Sequence, residues 1–236
     1  MRRVSRRGRG SRRAARVRAP RFERQLPHQR RQALIDATIE CLKRYGHEGL
    51  SIRTISAQAG VSVGLINHHF PNKDRLIAAA YRHFNSELVG GLQAAVARAT
   101  DSARARLRAF LQASFSPPNL DPEVLTVWVV FWGMYRHSPQ IRRVQRESYH
   151  GYVQLLHSLL QPLLAPAAAA RRRGIRRRRA SLLDLRHAAI GLTALLDGLW
   201  LEWCLEPGAF RPAEAVALCE EWVDSLRRRA AGSALE

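Results

Sequence analysis

Side chains that can bond the atoms of a nucleic acid are concentrated in the segment 51–73. Ser51 and Thr54 begin one predicted helix, where hydroxyls and free backbone N–H groups can bond phosphate oxygens. Asn67, on the next helix, has an amide that can pair with an adenine edge. Lys73, at the start of the following helix, carries a charge suited to a phosphate. These residue types predict recognition of double-stranded DNA.

The elements that would position these residues are two short helices joined by a turn. Ser51 caps a helix that ends at Gly60, and Ser62 caps a second helix, 63–70, that ends before Pro71. Such a pair fits a helix-turn-helix, whose second helix enters the major groove while the first crosses the backbone. An ordinary helical hairpin, in which the Ser residues are only caps, is the alternative. The groove-facing residues on this geometry are Ser62, Val63, Gly64 and Asn67, and the core-facing residues are Leu65, Ile66 and Phe70.

The whole chain predicts an all-α fold of nine helices. Three short helices form an N-terminal helix-turn-helix head over 27–75, and six longer ones form a C-terminal body over 76–231. Residues 1–26 are predicted to be an arginine-rich disordered extension, and 165–180 an arginine-rich flexible insertion. The body helices are predicted at about 73–99, 102–115, 122–137, 139–164, 181–206 and 212–230, with Ser181 as a cap.

The net charge of +20 is concentrated in two segments. Residues 1–31 hold thirteen Arg and one Glu, and residues 171–179 hold seven Arg and no acid. The remainder, with 19 basic and 18 acidic residues, is close to neutral. A DNA-gripping arm and a solvated tail both fit the N-terminal segment, so the basic total alone does not establish DNA binding.

Other classes of protein find little support. The apolar runs are too short to cross a bilayer and the N-terminus has no signal-peptide core, so we expect a cytoplasmic protein without a membrane partner. Cys41, Cys204 and Cys219 fit buried reduced thiols, and no pattern predicts a metal, a cofactor or catalysis. An enzyme and a helical interaction protein that binds membrane surfaces through its arginine tail are the rival hypotheses.

Aromatic residues on two body helices suggest a small-molecule site. Trp128, Trp132 and Tyr135 fall at i, i+4 and i+7 with Phe131 beside them, and Trp200 and Trp203 lie on a later helix. An aromatic wall binds a quaternary ammonium by cation–π attraction, and an acid could add a counter-charge. Such stripes also occur in cores and interfaces, and this alternative stays open. The acids near the second pair are Asp197 and Glu202.

The segment SIRTISAQAGVSVGLINHHFPNKDRLIAAAY resembles the head of TetR-family regulators nearly position by position. The family's run AGVS, Gly two residues later, an aromatic or His pair, Phe and a following Lys corresponds here to 59–62, Gly64, 68–69, Phe70 and Lys73. Asn67 stands where many members have Tyr, so a base preference is not carried over. The DNA contacts implied by the resemblance are Arg53, Ser62, Gly64, Asn67, His68 and Lys73.

A second resemblance covers the body. The runs VWVVFWGMYRHSPQIRRVQRESYHGYVQLL and LTALLDGLWLEWCL look like the BetI-like subgroup of that family, which is named for a choline-responsive repressor. This implies a ligand-released repressor of a pseudo-palindromic operator. Choline or a related quaternary ammonium compound is one effector hypothesis, and a different hydrophobic effector of an efflux or catabolic operon is the alternative. The resemblance also implies a homodimer through the last two helices, with candidate seam residues Leu192, Leu195, Leu199, Trp222, Val223 and Leu226.

Overall fold

The computed structural model describes residues 27–100, 102–169 and 175–232, and within these ranges the regular structure is helical. The all-α prediction is confirmed. The predicted extension 1–26 lies outside the described residues. The helices are α1 Pro27–Tyr45, α2 Ile52–Ala59, α3 Val63–His69, α4 Lys73–Arg98, α5 Ala103–Ser114, α6 Pro122–Tyr135, α7 Pro139–Ala169, α8 Ile175–Leu205 and α9 Pro212–Gly232.

Two body helices extend further than the sequence predicts. Helix α7 continues through Ala169 and α8 already begins at Ile175, so Ser181 lies inside a helix and does not cap one. The prediction treated Pro166 and the arginine block as a break. Alanine and arginine are among the strongest helix formers, and they dominate these stretches. Only 170–174 of the predicted insertion falls outside the described residues.

The first hydrophobic core joins the head to the body. Leu42 of α1, Ile55 of α2 and Ile66 of α3 are fully buried in the same cluster as Val127 and Phe131 of α6. Burying such side chains stabilises a fold by about 1.5–3 kcal/mol each. The head therefore rests on α6 through a continuous apolar contact.

The second core lies in the body between α5, α7, α8 and α9. Its fully buried members include Leu111, Leu160, Leu192 and Cys219. Helix α4 passes through both cores, with its first half in the head cluster and Leu92 in the body cluster. A shift of α4 would therefore disturb both cores.

One helix keeps much apolar surface uncovered. The stretch Leu185–Leu205 of α8 has the length and mean hydropathy, 1.4, of a membrane span, and 28% of it is buried. The sequence predicted no such span. Leu192 and Leu196 pack inside the chain, whereas Ile190, Leu201 and Leu205 are exposed. An amphipathic helix has one apolar stripe, but α8 is apolar on two sides, and the outer side needs a partner.

Candidate DNA-binding face and effector region

A capping box fixes the start of α2. The Ser51 Oγ accepts a hydrogen bond from the Thr54 backbone N–H at 3.1 Å, and the Thr54 Oγ1 accepts one from the Ser51 N–H at 2.8 Å. The Thr54 hydroxyl donates to the Gly49 carbonyl at 2.9 Å. These bonds satisfy N–H groups that a helix start otherwise leaves free. Both hydroxyls therefore serve the cap, in addition to the phosphate role predicted for them.

The turn between α2 and α3 depends on Gly60. Its φ of 63° and ψ of 32° are left-handed, a conformation that glycine adopts without strain. The chain then reverses, and Ser62 caps α3 by accepting from the Leu65 N–H at 3.3 Å. The Ser56 hydroxyl donates to the Val61 carbonyl and closes the turn. The angle between the two helices is thus set by local bonds.

The outer face of α3 is open to solvent. Val63 is 41% exposed, and Gly64, Asn67 and His68 are exposed beside it. The core-facing side is occupied by Ile66 and Phe70, which are buried, and by the half-buried Leu65, as predicted from the sequence.

No close contact inside the chain requires glycine at position 64. A Cβ added there would meet only the Ser62 Oγ, at 3.9 Å. Glycine in a helix costs about 1 kcal/mol relative to alanine. Its use at Gly64 therefore favours a close approach by something outside the chain.

Two basic residues lie on the helices that precede and follow α3. Arg53 on α2 is exposed. Lys73 is half-buried, and its Nζ donates to the Leu50 carbonyl at 3.1 Å, which ties the start of α4 to the loop before α2. An ammonium has three N–H donors, so this bond leaves two for a phosphate. Lys73 is thus both a structural tie and a candidate contact.

The start of α1 lies against the end of α3. The Arg31 guanidinium sits over the Phe70 ring, 4.7 Å from its centroid. Burial, His68, Arg30 and Arg31 all lower the pKa of His69. Positive groups therefore gather at this end of α3. The sequence treated Arg30 and Arg31 only as part of a charged tail, because their contact with α3 depends on tertiary packing.

The predicted aromatic wall divides between a cluster and the surface. Trp128 and Phe131 pack with Tyr81 and Phe84 of α4; the Tyr81 and Phe131 ring centroids are 4.1 Å apart and those of Trp128 and Phe84 5.6 Å. Trp132, 48% exposed, stacks on Trp128 with centroids 5.8 Å apart. Burial raises the pKa of Tyr81 to about 12, so its hydroxyl stays protonated and can donate to Gln145.

The other predicted ligand residues have different surroundings. Tyr135 is 40% exposed at the end of α6. The Trp200 indole N–H donates to the Asn119 carbonyl at 2.9 Å. The Trp200 ring packs against both cores. Asp197 reaches solvent but has protein on most sides, and this desolvation raises the pKa of its carboxyl. Trp128, Phe131 and Trp200 thus pack in the same core, and Trp132 stacks on Trp128 at its edge. The described ring contacts do not include Tyr135, and Asp197 is not part of this core.

An open groove of about 830 Å³ lies between α6 and the part of the head that includes Gly46 and His47. Its apolar wall includes Val129 and Met134 of α6, and its head side includes His47 and Asp74. This volume is within the range of small-molecule sites. The sequence pattern did not reveal the groove, because its residues are remote in the chain.

Two residues of the predicted dimer seam are buried within the single chain. Leu192 and Val223 are 0% and 1% exposed within the single chain, so they cannot meet a second chain at the surface. Leu195, Leu199, Trp222 and Leu226 are half-buried and pack on the same core. Trp222 lies so close to Gly191 that an added Cβ would stand 2.5 Å from its ring. The four half-buried side chains keep part of their surface open, so a dimer seam through them stays a prediction.

The described residues contain no group of three or more His, Cys, Asp or Glu that could hold a metal.

Comparison with known proteins assigns the fold. Residues 34–80 match the model of bacterial regulatory proteins of the tetR family, and 103–228 match that of the BetI-type transcriptional repressor C-terminal domain. The chain belongs to the TetR family. It is a transcriptional regulator of the BetI type and not an enzyme, which confirms the family and the subgroup that the two resemblances predicted.

Relatives extend over most of this TetR-family chain. The regulator BetI of Burkholderia thailandensis is 33% identical over 197 residues, which are 84% of this chain and 93% of that protein. A crystal structure of a transcriptional regulator from Pseudomonas aeruginosa PAO1 is 44% identical, covers 91% of this chain and 98% of its own, and has a TM-score of 0.77. A regulator from Saccharomonospora viridis, solved in complex with choline, is 19% identical, covers 84% of this chain and 96% of its own, and has a TM-score of 0.65.

Proposed function

We propose that this regulator is a cytoplasmic homodimeric repressor that binds a pseudo-palindromic operator and leaves it when a small effector binds the body. The observation that carries the DNA-binding role is the exposed outer face of α3, with Gly64 at its centre and room for a groove edge. Two such heads related by a two-fold axis require two half-sites.

The proposed contacts are of two kinds, to base edges and to the phosphates of the DNA backbone. Asn67 is exposed on the outer face of α3 and has the amide that can recognise an adenine. Val63 offers a methyl contact to thymine, and His68 is exposed on the same helix. Arg53 and Lys73 flank that face and suit phosphates. Ser51, Thr54 and Ser62 present the helix starts at which phosphates bind.

The second copy would cover the exposed apolar side of α8. Ile190 and Leu205 are 43% and 68% exposed, Leu201 lies between them, and Leu218 of α9 is 48% exposed. Residues 190, 194, 201 and 205 share one helix face, since their spacings are close to whole turns. Burial against the same surface of a second chain removes this face from water. We propose this stripe as part of the interface, beside the half-buried residues of the seam predicted from the sequence.

Release would follow from the core that the head shares with α6. Helix α6 carries Val127 and Phe131 into that core and presents Trp128 to the aromatic cluster with α4. An effector that binds between the rings of this aromatic cluster would shift α6. The head, which packs on α6, would move with it. The two heads then no longer match the spacing of the half-sites, so effector and operator oppose each other by linkage.

A quaternary ammonium compound such as choline is the proposed effector. Trp128 and Trp132 supply two stacked rings, each able to attract a cation by about 0.5–2 kcal/mol. The choline-bound regulator from Saccharomonospora viridis, which shares the fold, supports this choice. The groove between the head and α6 favours a second candidate, a larger hydrophobic effector lying along Val129 and Met134.

Two binding measurements test the proposal. Selection from random duplexes should yield a two-fold related sequence that the purified chain binds more tightly than its scrambled form. Calorimetry should then show choline binding at or below millimolar concentration, with loss of the selected duplex in a mobility-shift assay. Failure to select any sequence contradicts the operator role. Selection without a response to choline or related trimethylammonium compounds removes only the proposed effector.

A further inference from the structure

Helix α6 has a different neighbour on each of its two flanks. One flank packs Trp128 and Phe131 against Tyr81 and Phe84 of α4. The other flank is the apolar wall of the groove, and its residues are Leu125, Thr126, Val129, Val130, Gly133 and Met134. At 3.6 residues per turn, the centres of the two flanks stand roughly 160° apart around the helix. A displacement of α6 away from α4 therefore narrows the groove.

The side of the groove that faces α6 comes from three other segments. The turn between α1 and α2 contributes His47, the first turn of α4 contributes Asp74, and the turn between α6 and α7 contributes His137. All three side chains are exposed, and no side chain or backbone group in the described ranges pairs with their polar atoms. A molecule in the groove would therefore contact head and body at once and find polar groups without partners.

Gly133 lies in the middle of the apolar wall and leaves it open. A Cβ added there would have nothing within 4 Å. Since glycine weakens a helix relative to alanine, no contact inside the chain accounts for its place in α6. A close approach by a molecule from outside the chain does account for it. The groove volume of about 830 Å³ suits a small molecule.

The lining residues define the chemistry of the molecule that fits. The apolar side chains of α6 favour a hydrocarbon body, which leaves water when it lies against them. The Asp74 carboxylate accepts hydrogen bonds from a protonated amine and repels a carboxylate. An unprotonated ring nitrogen of His47 or His137 can accept a further hydrogen bond from the same amine. An amine with an apolar body therefore matches the groove better than an alcohol or an acid of the same length.

We propose that the groove is a second ligand site of this regulator and that it takes an amphipathic amine, with the apolar body on α6 and the ammonium group at Asp74. Its ligand opposes release of the operator. This opposing role rests on the proposed function, with choline or a related compound as the releasing effector between α4 and α6. That effector pushes α6 toward the groove, whereas a molecule in the groove holds α6 in place. The two ligands therefore weaken each other's binding, by the same factor in both directions.

Calorimetry with octylamine, octanol and octanoate tests the site, because these probes share one apolar body and differ in charge. We expect octylamine to bind about 3- to 10-fold more tightly than octanol, and octanoate to bind most weakly. Asp74→Asn should remove the preference for the amine. Glu87→Gln, which removes an exposed carboxylate from the same helix, should preserve it. Gly133→Leu should weaken all three probes at least about tenfold, because leucine fills space in which the probe is buried, and Gly91→Leu should weaken none.

A second titration tests the coupling between the two ligands. Saturating octylamine should raise the Kd of choline at least about fivefold, and saturating choline should raise the Kd of octylamine by the same factor. Asp74→Asn should weaken octylamine but not choline, and Trp132→Ala should weaken choline but not octylamine, which distinguishes two sites from one shared site. Octylamine should also raise the choline concentration that releases the selected operator in a mobility-shift assay. Circular dichroism verifies that each variant is folded.

The possible outcomes separate the site from its role. Equal affinity for the three probes, or an octylamine affinity that Asp74→Asn and Gly133→Leu both leave unchanged, would overturn the amine site. Choline binding that octylamine leaves unchanged or strengthens, or release of the operator by octylamine alone, would overturn the opposing role. Absence of choline binding would instead contradict the proposed effector, and the comparison of the three probes would still decide whether the groove binds amines.

Discussion

The head keeps its predicted functional residues on the surface, whereas the body divides them between surface and core. In the head, Val63, Gly64 and Asn67 point outward and the apolar residues between them make the core. In the body, Phe131 and Leu192, predicted for ligand and dimer contacts, are at most 1% exposed. DNA is too large to be enclosed, so it is met at the surface. A small effector is enclosed by the same apolar residue types that build a core, and pattern alone does not separate the two roles.

The sharpest test of this contrast is a large side chain on the outer face of α3. Gly64→Leu should weaken binding of the selected operator by roughly 100-fold, about 2.7 kcal/mol, because the new side chain stands where the groove edge must approach. The free energy of unfolding should stay the same or rise by up to about 1 kcal/mol, since leucine is the better helix former and the space is open. Anisotropy and urea unfolding measure the two quantities.

Gly91→Leu is the matched control for that change. Gly91 is also exposed on a helix, with nothing within 4 Å of an added Cβ, but it lies in the second half of α4. We expect the same effect on stability and unchanged operator affinity. Similar losses of binding in both variants would mean that α3 has no special position in the complex.

In the body, the two apolar sides of α8 should respond differently to substitution. Leu201→Glu on the outer stripe should convert the dimer to monomers at micromolar concentration, measured by sedimentation, and leave the monomer folded. Leu192→Ala on the inner side should cost about 2–5 kcal/mol of unfolding free energy because it opens a cavity. Gln154→Glu, exposed on α7, is the control for added charge. A dimer that survives Leu201→Glu would refute the stripe as the interface.

The paired tryptophans separate structural from ligand roles in the aromatic cluster. Trp128→Ala should lower the free energy of unfolding by about 3 kcal/mol, since its ring packs on Tyr81 and Phe84. Trp132→Ala, at an exposed ring, should change stability by less than about 1 kcal/mol and weaken choline binding roughly 2- to 30-fold. Calorimetry measures the binding. Unchanged choline affinity in the folded Trp132 variant would show that choline does not bind at this cluster.

Substitution of a residue proposed to contact bases and of one proposed to contact phosphates should have smaller and different effects on DNA binding. Asn67→Ala should reduce the preference for operator over scrambled duplex by about 1–3 kcal/mol, and Lys73→Ala should weaken all duplexes with a salt slope shallower by about 1. The Lys73 variant should also lose about 1 kcal/mol of stability, because its bond to the Leu50 carbonyl disappears. Equal loss of selectivity in both would show that the two roles are wrongly assigned.

The head was predictable from sequence because its geometry is encoded locally. Ser51, Gly60 and Ser62 each act within a few residues, so the bounds of α2 and α3 agree with the prediction to within one residue. The dimer seam was not predictable in the same way. Leu192 and Leu201 lie on opposite sides of a helix that is apolar on both, and only tertiary packing decides which side faces the chain's own core. The groove and the Arg31 contact likewise depend on distant segments.

The smallest expected effect concerns an ion pair that joins α5 to α9 in the body. Hydrogen bonds from Arg104, and then from Arg227, lower the pKa of Asp224 to about 2. A carboxyl whose pKa is lower in the folded chain adds stability above its ordinary value of 3.8, and this is lost as the pH falls from about 4 to about 2. Asp224→Asn should therefore reduce stability at pH 7 by about 1 kcal/mol or less, because the arginine is half exposed.

The same substitution should flatten the pH dependence of unfolding between about pH 4 and pH 2 and leave operator affinity at pH 7 unchanged, since the pair is remote from α3. Urea unfolding followed by circular dichroism across this window measures the first effect and anisotropy the second. Glu221→Gln, an exposed acid on the same helix, is the control. A pH profile shared by the two variants would show that the Arg104 pair adds nothing. A drop in operator affinity would show that α9, as well as α6, controls the position of the heads.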